Sequence, residues 1–290
     1  MFVHNSVRAL GFAILIGGAI FAPSAAEASR SALKAATSWT YQLKGNVAPI
    51  AGGNADVAVV DWDHVRNKGL LTRLKQKPGG ARRQVIGYLS IGEAENWRSY
   101  WRSCCAGGSP GWLTSKTQGW AGNYVVRYWD PAWKAIVRRQ LDAIIDAGFD
   151  GVYLDRADSW ESMRGENSNA RGAMIALVKE LAAHARSRNA DFSVIVQNAE
   201  ELLTDSSYVA AIDAVAKESL FYGLPGEGQR TSASDVSASL RDLKRAKAAG
   251  KAIFVIEYIR GESVERARSE IKAQGFIPFF GPRDLGGQNS

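Results

Sequence analysis

The chain has 290 residues, is 46% hydrophobic and 22% charged, and carries a formal charge of +7. That is ordinary globular composition with ample apolar content for one large core, which excludes a disordered or fibrous chain. Two adjacent cysteines, Cys104 and Cys105, and three histidines exclude a disulfide framework and a multi-histidine metal centre. No G-x-S-x-G elbow is present, so any chemistry must rest mainly on carboxylates, with no metal and no cofactor. In an oxidising compartment the cysteine pair would be either a vicinal disulfide or two buried thiols.

At the N-terminus Arg8 precedes an apolar run over 9–22, and Ala26-Glu27-Ala28 forms an A-x-A-like cleavage site. This predicts a secretory signal peptide over 1–28, too short in its apolar run to anchor, and a single mature domain over 29–290. The expected product is a secreted or periplasmic monomer, free of the membrane once the signal is cleaved. Its Lys and Arg residues are spread along helical segments such as 137–139 and 241–251. They read as solvated helix faces, so no nucleic-acid partner is expected.

Eight short β-type runs follow in chain order, at 39–43, 57–60, 84–89, 152–154, 193–196, 211–216, 252–256 and 276–279. Helical apolar spacing recurs between them at 131–147, 170–189, 233–249 and 262–274. Asp130-Pro131 marks the first of these helices as capped at its start. The segment 45–55 is short and Gly-rich and predicts no clear helix, and 90–130 is a long connection rich in Trp and Gly. Apolar strands alternating with helices predict an α/β fold with a parallel sheet, and eight strands favour a closed (β/α)8 TIM barrel.

Barrel enzymes build their sites at the C-terminal ends of the strands. Here the second strand ends in Asp61, Trp62 and Asp63, and the third runs into Ser90, Glu93 and Glu95. The fourth ends in Asp155, Arg156 and Asp158, the fifth in Gln197 and Asn198, and the sixth in Glu218. The seventh ends in Glu257 and Tyr258, and Arg283 and Asp284 follow the eighth. Six of the nine Trp residues lie between 97 and 133. Aromatic faces beside carboxylates suit sugar rings, which makes Trp62, Trp97 and Trp101 candidate sugar contacts and leaves Trp39 and Trp133 to the core.

The stretches "GYLSIGEAENWRSYW", "VRYWDPAW", "GFDGVYLDRADSW", "VIVQNAEELL", "AKESLFYG" and "IEYI" occur in order across residues 38–285. Together they resemble glycoside hydrolase family 114, the endo-α-1,4-polygalactosaminidase-like proteins. The resemblance implies a (β/α)8 fold and hydrolysis of α-1,4 bonds in a galactosamine-containing polysaccharide, a cationic amino-sugar polymer. That family usually carries an acidic residue where this chain has Ser219. Most glycosidases use two carboxyl groups, and the expected pair is Asp155, as nucleophile or base, with Glu218 as general acid. Asp61, Trp62, Asp63, Glu93, Trp97, Arg156, Asp158, Gln197, Asn198, Glu257 and Tyr258 are the expected substrate-binding groups. An acidic rim on a basic body would attract ammonium groups at contact distance. The alternative is a carbohydrate-binding barrel without turnover.

Overall fold

The computed structural model describes Met1, residues 25–105 and residues 107–286. The expected signal peptide lies outside the described residues except for Met1 and 25–28, the latter opening helix α1 (Ala25–Lys34). The elements then run β1 (Trp39–Gln42), β2 (Val57–Asp61), α2 (Lys68–Leu74), β3 (Gln84–Ser90), β4 (Glu93–Glu95), α3 (Trp101–Cys104), β5 (Leu113–Lys116) and β6 (Asn123–Val126). They continue through α4 (Pro131–Ala147), β7 (Gly151–Asp155), α5 (Ala170–Arg188), β8 (Ser193–Gln197), α6 (Ser206–Ala211) and β9 (Ala214–Glu218). The last are α7 (Ala233–Ala248), β10 (Ala252–Glu257), α8 (Ser263–Ala273) and β11 (Ile277–Phe280).

Eight strands pair in the order β1-β2-β3-β7-β8-β9-β10-β11, all parallel. The two outermost strands meet at a seam. There Trp39 Nε1 donates to the Ile277 carbonyl at 3.0 Å, and the Leu43 and Lys44 amides both donate to the Leu285 carbonyl. The result is the predicted (β/α)8 TIM barrel, nearly closed.

Strand alternation divides its apolar residues between two cores. Trp39, Tyr41, Val57, Val59, Ile86, Tyr88, Tyr153, Ile195, Ala216, Phe254, Ile256 and Phe279 fill the interior, and Leu33 of α1, fully buried, joins them. Val60, Val85, Val152, Leu154, Val194, Val196, Val215 and Val255 point outward and pack with helix residues such as Leu141, Ile144, Leu177 and Leu181. Each fully buried Leu or Ile of this kind contributes about 1.5–3 kcal/mol.

Two local expectations change. The strand read at 211–216 is β9, beginning at Ala214, because Asp205 caps α6 through the Ser207 and Tyr208 amides and Asp213 accepts from Val194 N at 2.9 Å. The connection 90–130 carries a second, antiparallel sheet in the order β4-β6-β5. The weak segment after β1 holds only a 3-10 turn, Ala48–Gly52. Cys104 and Cys105 are joined as a vicinal disulfide. Among the described residues no helix is long and apolar enough to cross a membrane.

Candidate active site

A cavity of about 630 Å³ opens at the C-terminal ends of the strands. Asp155 and Glu218 lie in its wall, with Gln197 between them on β8. All three have the inward parity of the strand residues two positions earlier, Tyr153, Ile195 and Ala216. The two carboxylates are braced alike, each by a tyrosine from a neighbouring strand.

Tyr88 Oη donates to Asp155 Oδ2 at 2.6 Å, and the Arg156 amide donates to Asp155 Oδ1 at 2.7 Å. Tyr258 Oη donates to Glu218 Oε1, and Asn198 Nδ2 donates to Oε2 at 3.3 Å. Asn198 Oδ1 in turn accepts from the Glu218 amide at 3.1 Å. The hydrogen bonds to Glu218 therefore come from Asn198 and Tyr258, while the Ser219 amide is engaged with the Ile256 carbonyl. Burial, and then the negative charge of Glu218, push the Asp155 carboxyl up to about 7.

The backbone around this floor is unusual. Among the described residues five non-glycine positions have left-handed φ: Arg156, Asn198, Ala199, Ser219 and Leu285. One follows Asp155 directly, one Gln197 and one Glu218, and Leu285 lines the cavity. Such conformations cost about 1–3 kcal/mol each and persist where the surroundings over-determine them, which singles out these strand ends.

Gly92 is a second constraint. A Cβ there would lie 2.2 Å from the Arg156 carbonyl oxygen and 2.4 Å from Ser159 Oγ. Gly92→Ala is therefore expected to displace the turn after Asp155. Overpacking of this kind costs about 1–3 kcal/mol, or a Tm fall of about 3–10 °C for a domain of this size. Differential scanning calorimetry checks it, and an unchanged Tm would refute the close packing.

The acidic rim is more compensated than the sequence suggests. Arg98, 3% exposed, joins Asp61 through Nη1 at 2.7 Å and Glu95 through Nε at 2.6 Å. Burial pushes the Glu95 carboxyl upward. Glu93 takes Arg156 Nη2 at 2.8 Å and Asn123 Nδ2 at 2.9 Å. Of the five acids that line the cavity, only Asp155 and Glu218 carry no ion pair among the described residues. Arg98 escaped notice because it lies inside the long connection rather than at a strand end. Its one sequence signal is the i,i+3 spacing from Glu95.

Of the expected binding residues, Asp61, Glu93, Trp97, Arg156, Gln197 and Asn198 line the cavity. Trp62, Asp63, Asp158 and Glu257 do not, and Tyr258 reaches it only through Glu218. Trp62 follows the inward Asp61, so it points outward into the helix-facing core, with the Arg66 guanidinium over its ring. Asp63 pairs with Arg66, and Asp158 lies 3.9 Å from Arg156 Nε. Trp101 packs on Tyr124, with ring centroids 4.8 Å apart. Glu257 lies between the inward Ile256 and Tyr258, so it faces out. Fully buried, it accepts from the Phe221 and Tyr222 amides at 2.8 and 3.2 Å, and burial pushes it up to about 7. It anchors the loop that follows Glu218. Lys217 likewise faces away and pairs with Glu200 at 3.1 Å. No cluster of His, Cys, Asp and Glu suited to a metal ion occurs among the described residues.

A (β/α)8 barrel with two braced, unpaired carboxylates at its C-terminal mouth, on strands separated by one other, has the architecture of a barrel glycosidase. Comparison with known proteins agrees. The chain matches glycoside-hydrolase family GH114 over residues 21–290 and belongs to that family, which makes it a glycoside hydrolase. A Deinococcus radiodurans protein is 36% identical over 270 residues, spanning 91% of this chain and 86% of the relative. A Thermotoga maritima protein is 32% identical over 271 residues, spanning 85% and 81%. The fold is that of Aspergillus fumigatus Ega3 in complex with galactosamine, with TM-score 0.66, 20% identity, and coverage of 87% of this chain and 94% of that one. The glycoside hydrolase domain of PelA from Pseudomonas aeruginosa superposes with TM-score 0.65 at 21% identity, covering 86% and 95%.

Proposed function

We propose that the chain hydrolyses α-1,4 bonds in a galactosamine-containing polysaccharide outside the cytoplasm, with Asp155 and Glu218 as the reacting carboxyl groups. The observation that carries this reading is the pair itself. They are the two cavity acids without an ion pair, each is oriented by a tyrosine, and each is followed by a left-handed residue. Ega3, which shares the fold, has been crystallised with galactosamine, and the export signal read at 1–28 suits a polymer met outside the cell.

Glu218 is the general acid that protonates the leaving oxygen. Asp155 attacks the anomeric carbon, or activates the water that does. In the free enzyme Asp155 is pushed up to about 7 by burial and then by Glu218, so near neutrality only part of it is ionised. A sugar ammonium bound beside the pair supplies a positive charge that lowers Asp155 and favours its ionised, reactive form. The free amine thereby helps to set the reactive protonation state.

The test is hydrolysis of partly deacetylated α-1,4-galactosamine polymer across pH. Because Asp155 must be ionised, kcat/KM should fall as pH drops below about 7. The corresponding limb of kcat should lie lower, since the substrate charge acts only in the complex. Absence of released oligosaccharides would sink the proposal. Coincident acidic limbs for kcat and kcat/KM would remove the role given to the amine.

A further inference from the structure

The mouth of the cleft holds features that the floor does not use. Among the described residues four large hydrophobic side chains are exposed, and two of them, Trp97 at 54% and Trp120 at 37%, line the same cavity. Both are carried by the antiparallel sheet of the long connection. Trp97 stands just beyond β4 and Trp120 just before β6, and the Asn96 amide donates to the Gly122 carbonyl at 2.9 Å between them.

Gly122 explains how Trp97 is held. Its φ is +90°, and a Cβ there would meet Trp97 Cζ3 at 2.8 Å and Asn96 Oδ1 at 2.7 Å. The indole thus rests against bare backbone on one side, while its other surface is open to the cavity. An indole kept exposed at a cleft is a surface built for contact. From across the mouth, at the end of β1, Lys44 places Nζ 5.9 Å from the centroid of the Trp120 ring. Its backbone amide is fixed on the Leu285 carbonyl, and its ammonium has no carboxylate partner among the described residues.

We infer that Trp97, Trp120 and Lys44 form a second sugar subsite, separate from the Asp155–Glu218 floor, that takes an uncharged pyranose ring and rejects one bearing a free ammonium. The inference rests on the polysaccharide reading above and adds a rule about its substrate. The C–H face of a pyranose carries partial positive charge that complements the negative face of an indole. A neutral or N-acetylated ring stacks there without penalty, whereas an ammonium at the same place opposes Lys44. The floor has the opposite character, with two carboxylates that lack ion pairs. The cleft therefore fits a chain of mixed charge, with a free amine at the floor and an uncharged unit at the mouth, better than a uniformly deacetylated chain.

Titration of the Asp155→Asn protein with α-1,4-linked galactosamine hexamers, acetylated fully, partly or not at all, tests this without turnover. The partly acetylated hexamer is expected to bind tightest. Trp97→Ala and Trp120→Ala should each weaken it about tenfold or more, and a dimer confined to the floor should lose far less. In the active enzyme the same substitutions should act mainly on KM. Lys44→Glu should tighten the fully deacetylated hexamer and erase the preference. Binding by the Asp155→Asn parent together with unchanged affinity in the Trp variants, or a preference untouched by Lys44→Glu, would overturn the subsite alone. Failure of that parent to bind any of the three would overturn the polysaccharide reading and the subsite with it.

Discussion

Asp155→Asn is expected to lower turnover by about 10³-fold or more, the scale on which a nucleophile or general base acts, and at the same time to make the protein more stable at neutral and alkaline pH. The second half follows from the first. Folding raises this carboxyl from an ordinary 3.8 to about 7. Between those values the folded protein binds a proton that the unfolded chain has released, so stability falls as pH rises through this window. Above about 7 the whole cost is present. An interval of about three pH units corresponds to roughly 4 kcal/mol at most.

Asparagine removes that cost. Its carbonyl can accept from the Arg156 amide, as Oδ1 does now, while its amide donates to a reversed Tyr88 hydroxyl. Melting at pH 8 should therefore rise by about 5–10 °C, and the gain should shrink steadily toward pH 4. Loss of stability at pH 8, or a gain independent of pH, would show that Asp155 is not held at a cost. Activity within about tenfold of the parent, a barrier change under ~1.4 kcal/mol, would take the central role from it.

The other large effect is expected at Arg98. Arg98→Met keeps an unbranched apolar stem as far as the position of Nε but leaves Asp61 and Glu95, both buried, without their shared cation. Breaking a buried pair from one side costs about 3–5 kcal/mol, a Tm loss on the order of 10 °C or more. Because the two carboxylates can then escape the penalty by taking protons, the deficit should narrow as pH falls. Adding Asp61→Asn and Glu95→Gln to Arg98→Met should restore much of the lost stability, since no uncompensated charge remains. Thermal melts of the single and triple variants at pH 5 and 8 decide the matter. A single variant as stable as the parent would mean that the cluster contributes nothing to the fold, and a triple variant no better than the single would assign the loss to packing.

Apolar runs such as 193–196 and 252–256 and the capped helix after Asp130 are local patterns, and they were sufficient to predict eight parallel strands with helices between them. The quoted motifs reached further, to the family and to the two carboxylates, because Asp155 and Glu218 each end a buried strand. Listing every polar residue at a strand end was less discriminating. Glu257 and Tyr258 cannot both face the interior, and strand parity sends Glu257 outward to bind amides while Tyr258 turns in to Glu218. The same rule takes Trp62 out of the cleft.

By itself the chain therefore determined the barrel and its strand ends, because periodicity and capping act over a few residues at a time. Which acids remain free was decided only in the folded molecule. Arg98 reaches back 37 positions to Asp61, and Arg156 closes on Glu93 from another strand. Charge compensation in a buried site depends on distances of a few ångströms between segments far apart in sequence, and only tertiary packing sets those distances.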